Sequence, residues 1–118
     1  MLPSSLRIRR SFLKDVFKKS SVFHSKDLSL FVLRDSVAKN NSLFSFSASK
    51  KVSKVAPKRN KLRRQGYSVV RDILKTKKIN PGFLCVFVYK KTVGDAPFED
   101  IKNQIEFLLK KARVIIQK

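Results

Sequence analysis

The chain has one cysteine, one histidine, no tryptophan and only 8 acidic residues in 118. A lone cysteine cannot close an internal disulfide. Cys85 lies in an apolar run and reads as a reduced core residue. A structural zinc site needs several Cys or His ligands, more than Cys85 and His24 supply. Carboxylates that could hold two metals are scarce, which argues against a self-sufficient metal nuclease. There is no glycine-rich phosphate loop, no Ser/His/Asp set and no paired-carboxylate pattern. His24 has no partner nearby in sequence and reads as a surface residue at a strand edge, and Tyr67 and Tyr89 have no nucleophile context. No run approaches the roughly 20 apolar residues of a membrane span.

What the chain has in excess is positive charge. It carries 28 Lys and Arg, a formal net charge of +20. Such an imbalance costs self-repulsion in the compact state, so a polyanionic partner is expected, and phosphate backbones are the commonest. An anionic membrane surface is the competing partner. The chain is no disordered basic tail, because 42% of its residues are hydrophobic and ten are Phe. Met1 to Ser21, rich in Arg, Lys and Ser, has the composition of an organelle transit peptide; the plainer reading is a first helix with a basic outer face.

Periodicity divides the chain. Ser11 is placed to cap a helix over Phe12–Lys19, with Phe12, Leu13, Val16 and Phe17 on one side. Val22-Phe23 and the nearly continuous apolar run Leu28–Leu33 predict strand, the latter central to a sheet. Phe44–Ser49 alternates, sending Phe44, Phe46 and Ala48 one way and Ser45, Ser47 and Ser49 the other. An antiparallel hairpin with the preceding strand is the simplest connection. Pro57 suits the first turn of a helix that runs to about Lys75. Asn80-Pro81-Gly82 breaks the chain before a strand at Leu84–Tyr89. Asp95 is placed to cap a last helix, in which Phe98, Ile101, Ile105, Leu108, Leu109 and Ala112 recur at helical spacing. The expected fold is α+β: one domain over residues 1–118, a small sheet of about four strands packed with helices, in the order α-β-β-(β)-α-β-α.

On a helical wheel, Gly66, Val69, Val70 and Ile73 lie within about 80° of Leu62 and form the buried face. Asn60, Lys61, Arg64, Ser68, Arg71 and Lys75 fall opposite. Arg59 lies nearer the buried side. Acids are almost absent from this stretch, which marks a ligand face more than a solvated one. The strand serines beside Lys50 and Lys51 place hydroxyls next to cations, a combination that with aromatic platforms suits single-stranded nucleic acid. Phe12, Phe17, Phe23 and Phe31 are the candidate platforms, each weighed against plain core packing.

These residues resemble a family. Ser47-Ala48-Ser49-Lys50-Lys51, then Ala56-Pro57-Lys58-Arg59-Asn60-Lys61-Leu62-Arg63-Arg64, is similar to the strand end and basic helix of the protein subunit of bacterial ribonuclease P. Leu2-Pro3, Leu6-Arg7-Ile8, the first helix and the last helix agree as well. The resemblance implies a left-handed strand–helix–strand crossover around the basic helix, where base rates favour the right hand. It implies binding of the catalytic RNA through Lys50, Lys51, Lys54, Lys58, Arg59, Asn60, Lys61, Arg63, Arg64 and Arg71. It also implies a groove for the 5′ leader of precursor tRNA, with Phe12, Phe17, Phe31, Ser47 and Ser49 as candidates. On this reading no catalytic residue, cofactor or metal belongs to the protein, and magnesium serves the ribonucleoprotein. The location is cytoplasmic, with no membrane or small-molecule partner. The family pattern is broken at Lys61, Tyr67 and Leu13, which puts one phosphate contact and the groove floor in question. A small basic structural protein of the ribosomal type is the alternative.

Overall fold

The computed structural model describes residues 4–116; the Leu2-Pro3 opening lies outside them. The described chain begins with a 3-10 turn, Ser4–Leu6, followed by α1 (Arg10–Lys19), and β1 (Ser21–His24) and β2 (Leu28–Arg34) then form a hairpin. β3 (Leu43–Ser47) leads into the long α2 (Ala56–Thr76). β4 (Phe83–Tyr89) and α3 (Phe98–Lys111) complete the fold. The α+β class and the four-stranded sheet agree with the sequence.

The pairing of β3 follows the strand–helix–strand crossover that the resemblance implied and not the hairpin read from the residues. The sheet order is β1-β2-β4-β3. β3 does not form a hairpin with β2; it lies parallel to β4, with Phe46 opposite Phe87 and Ser47 opposite Val88. β4 sits between β2 and β3, antiparallel to β2. The physical reason lies in β4, whose seven residues are apolar almost throughout. Such a strand has to be covered on both faces and both edges. α2 is the crossover that returns the chain to lay it beside β3.

The sheet separates two cores. On one face Leu28, Leu30, Phe44, Phe46, Cys85 and Phe87 pack against Leu62, Val69, Val70 and Ile73 of α2 and against Ile101, Ile105, Leu108 and Leu109 of α3. Each such aliphatic side chain, fully buried, contributes roughly 1.5–3 kcal/mol. On the other face Val16 of α1 is buried with Ile8, Ala38, Leu84 and Val86, and Phe12, Leu13, Phe31 and Val88 pack around them. Burial pushes the Cys85 thiol far up, which keeps it protonated.

Helix ends differ from expectation. α1 starts at Arg10 with Arg9 as cap, so Ser11 is inside the helix. α3 is capped by Pro97 without a side-chain bond; Asp95 is used elsewhere. Its other end closes with Val114 N–H donating to Leu109 O at 2.9 Å and Arg113 N–H to Lys110 O at 3.1 Å. That closure requires a left-handed residue, usually glycine. Here it is Arg113, at φ 62°, at a cost of about 1–2 kcal/mol.

Gly66 is the closest approach of α2 to the sheet. A Cβ there would fall 2.8 Å from Phe46 Cγ and closer still to Cδ1 and Cε1. The Phe46 ring cannot retreat, because it stacks on Phe87 with centroids 4.7 Å apart and meets the Tyr67 ring edge-on at 5.0 Å. Gly66→Ala should therefore lose about 1–2 kcal/mol in urea denaturation, the overpacking outweighing the roughly 1 kcal/mol gained in helix propensity.

Candidate nucleic-acid interface

The parallel pairing brings two strand ends together. β3 ends before Ser49-Lys50-Lys51, and β4 ends before Lys90-Lys91. These residues, with Val52, Ser53, Lys54, Val88 and Tyr89, line a cleft of about 860 Å³. Lys50, Lys51, Lys54 and Lys91 are exposed there, while Lys90 Nζ donates to Ser25 O at 2.7 Å. Lys90 and Lys91 were missed because an antiparallel β2–β3 hairpin would have placed them elsewhere. The available signal was the repeat of Lys-Lys at both strand ends.

The loop between β3 and α2 is self-supporting. Lys51 N–H donates to Ser49 Oγ at 3.3 Å, and Val55 N–H to Ser53 Oγ at 3.1 Å. Ser49 is thus a turn residue as well as a surface hydroxyl. α2 then begins with Pro57 in its first turn and no acid. Lys58 and Arg59 stand at the positive end of the helix dipole, where cations are unfavourable and an anion is stabilised.

Along α2 the wheel holds on its inner side: Leu62, Gly66, Val69, Val70 and Ile73 are buried. On the outer side Asn60, Lys61, Arg64 and Lys75 are exposed, whereas Ser68 and Arg71 are half-buried. Arg71 Nε is buried without a hydrogen-bond partner. Arg59 is half-buried as its phase suggested, and its Nη1 donates to Ser53 O at 2.9 Å, tying the helix start to the loop. Arg63 Nη2 donates to Asn60 Oδ1. The implied RNA-binding residues therefore divide into free cations, chiefly Lys61 and Arg64, and cations already bound within the protein, chiefly Arg59.

Tyr67 has a plain explanation. It is buried against Phe46, and its hydroxyl oxygen accepts from Phe46 N–H at 3.3 Å. It is a packing residue and contributes no surface contact. Tyr89 likewise donates from its hydroxyl to Leu62 O at 2.7 Å, and burial raises its pKa above the ordinary tyrosine value.

A second cleft, of about 570 Å³, lies between the start of α2 and the loop before α3, lined by residues including Lys61, Arg64, Gly94 and Asp95. Lys58 Nζ donates to Asp95 Oδ1 at 2.9 Å across its mouth. This is the use of Asp95 in place of the expected cap.

The aromatic candidates fall on two faces. Phe17 and Phe31 meet edge-on, with centroids 5.0 Å apart, on the α1 side of the sheet, and Phe17 is 47% exposed. Ser45 and Ser47, opposite Val86 and Val88, share that side. Phe12 and Leu13 pack against the core on that side, so Leu13 serves as a packing residue. Phe23 packs into the other core, on the opposite face. His24, on the edge strand, does have a partner: its Nδ1 is hydrogen-bonded to Ser29 Oγ at 2.9 Å, across the hairpin.

Among the described residues no three His, Cys, Asp or Glu side chains converge. None of their helices is long and apolar enough to cross a membrane.

A basic helix and two lysine-tipped parallel strands at one end of an α+β sheet define a small polyanion-binding protein. Comparison with known proteins is specific. The Ribonuclease P family model matches residues 2–113. The chain is 32% identical over 117 residues to the ribonuclease P protein component of Microcystis aeruginosa, covering 97% of this chain and 96% of that protein. It is 33% identical over 109 residues to that of Clostridioides difficile, covering 90% of each. Its fold matches the Staphylococcus aureus RNase P protein with a TM-score of 0.80 at 21% identity, over 92% of this chain and 96% of that one. For the Thermotoga maritima protein the TM-score is 0.74 at 22% identity, over 89% and 96%. The chain belongs to the ribonuclease P protein family. It is the protein component of a tRNA-processing endoribonuclease.

The ion pair at the second cleft can be read directly. The hydrogen bond and charge of Lys58, with a smaller contribution from Lys61, hold the Asp95 carboxyl below its ordinary pKa. Lys58→Ala should move the Asp95 titration up toward the usual carboxylate range, followed by NMR of the carboxyl carbon. Because the folded-state pKa is depressed, whatever stability the pair adds is present at neutral pH and is lost as pH falls through that pKa.

Proposed function

We propose that the end of the sheet bearing Lys50, Lys51, Lys54, Lys91 and the exposed side of α2 binds the catalytic RNA of ribonuclease P. The groove between α1 and the sheet receives the single-stranded 5′ leader of precursor tRNA. The observation that carries this is the convergence of two Lys-Lys strand ends and the acid-free start of α2 on one surface, next to a sheet face with an exposed Phe17 and half-buried strand serines.

The chemistry follows from charge. Two RNAs that must meet repel one another, and a protein of +20 between them lowers that repulsion. Lys61 and Arg64 reach phosphates from a rigid helix. Lys61 supplies a point charge where an arginine would supply a fork, so its contact carries less directional information. Phe17 offers a ring face or edge to an unstacked base, and Ser45 and Ser47 offer hydroxyls to the backbone. Hydrolysis belongs to the RNA with its magnesium, and the protein acts by binding and positioning. A cytoplasmic location fits this role.

Addition of the protein to its cognate catalytic RNA should lower the magnesium concentration needed for leader removal. An unchanged magnesium requirement would overturn the proposal. The ribosomal alternative is separated by what co-purifies with the tagged protein: one RNA of a few hundred nucleotides, or ribosomal subunits.

The facing of α2 has its own test. Arg64→Ala should reduce the slope of log affinity for the catalytic RNA against log salt by about one. Lys14→Ala, on the outer side of α1, should leave it nearly unchanged. Equal and negligible effects would mean that the exposed side of α2 is not the RNA face.

A further inference from the structure

The opposite end of the sheet carries a second basic surface that none of the assignments above uses. It lies where β2 ends and β4 begins, about 20 Å along β4 from the lysine-tipped end. A cleft of about 510 Å³ is lined there by Arg34, Asn80, Pro81, Phe83, Ala112 and Arg113. That volume is in the range of small-ligand sites, roughly 300–1,000 Å³. We propose that this cleft is a second RNA-binding site, in which Arg34 and Arg113 hold phosphodiester groups on either side of an apolar floor.

Three features support it. The first is the identity of residue 113. The left-handed position that ends α3 is one where glycine is free of strain, yet arginine stands there at φ 62°. Strained positions of this kind gather at functional sites, and a guanidinium is what glycine would lack. The second is rigidity. Asn80 Nδ2 donates to Arg113 O at 2.9 Å, and Asn80 N–H donates to Val114 O at 2.8 Å. Ile79 and Ile115 form a β-bridge beside them. The arginine is thus carried on a braced turn, and little order has to be created on binding. The third is charge. The Arg34 guanidinium lies over the Phe83 ring, 5.0 Å from its centroid, and Arg34 is exposed where it lines the cleft. Among the described residues neither Arg34 nor Arg113 is in an ion pair. Asp35, the acid next to Arg34, has Oδ1 turned to its own loop, accepting from Val37 N–H at 2.9 Å. Two unpaired guanidiniums beside a buried apolar floor suit the planar, bidentate recognition of phosphate, and the guanidinium plane over Phe83 suits the stacking of a base.

This inference rests on the reading of the chain as an RNA-binding subunit, but on none of the residues assigned to that role. The test uses the full chain and a fluorescent 12-nucleotide single-stranded RNA, with anisotropy followed over a salt series. Arg34→Gln/Arg113→Gly should melt no lower than the parent, and Arg113→Gly alone should melt roughly 4 °C or more higher, since the left-handed strain is relieved. The double variant should bind about tenfold more weakly at low salt, with a slope reduced by about 1.4, or 0.7 for each lost phosphate contact. An unchanged slope, with Arg64→Ala still lowering the slope for the catalytic RNA, overturns this site and leaves the basic-helix reading standing. A slope lowered by the double variant, with Arg64→Ala leaving the slope for the catalytic RNA unchanged, does the reverse. Without any substitution, backbone amide shifts at Arg34, Asn80 and Arg113 on titrating the parent with the same RNA support the site, and silent amides there overturn it. Arginine-dependent binding to phosphatidylglycerol vesicles with an unaltered RNA slope would assign the patch to a membrane surface and overturn the proposal.

Discussion

The contact of Phe46 with Gly66 is the constraint on which the rest of the structure depends. It sets the distance between α2 and the sheet, and no side chain larger than hydrogen fits at residue 66. With α2 held this close, Tyr67 and Tyr89 reach backbone groups of β3 and α2 respectively. The helix is then fixed in rotation as well as in distance. Lys61 and Arg64 project outward because Leu62, Gly66 and Val69 have nowhere else to go. An interface made of long flexible cations is thereby built on a rigid base, which limits what has to be ordered when a polyanion binds.

The same crossover explains how charge is concentrated. Parallel neighbours end at the same end of the sheet, so the Lys-Lys pairs after β3 and β4 meet although 40 residues separate Lys50 from Lys90. The repulsion of several ammonium groups at close range is an expense that the apolar packing of β4 has to offset. The energy of that packing comes from elsewhere in the molecule, chiefly the aliphatic residues of α3 and the stacked rings of Phe46 and Phe87. Lys58 is partly neutralised by Asp95 and Lys90 is engaged with a carbonyl, so the surface is less uniformly free than its composition suggests.

The division of the sheet into two faces separates roles. One face is filled by α2 and α3 and is closed core. The other is only partly covered by α1, whose ten residues leave Phe17 exposed and Ser45 and Ser47 half-buried. On the proposed reading this partly covered face receives an extended strand of RNA with unstacked bases.

Much of this was legible in the chain itself. Helical and strand periods placed all the main elements, because α2 and α3 repeat apolar residues at three and four and β3 alternates at two. The wheel found the buried side of α2 for the same reason. The family resemblance rested on local motifs around Ser47–Lys51 and Arg59–Arg64, which survive as contiguous text. Pairing was not legible in the residues themselves, although the resemblance implied the crossover. An alternating strand such as Phe44–Ala48 carries no mark of its neighbour's direction, and the choice was made by β4's need for cover on both edges. Partners across the fold were hidden for the same reason: Asp95 with Lys58, Phe46 with Tyr67. The sequence by itself determined the charge, the elements and the family. Only the tertiary structure decided which lysines share a surface, which arginines are already committed within the protein, and which face of the sheet stays open, because each of these depends on contacts between residues far apart in the chain.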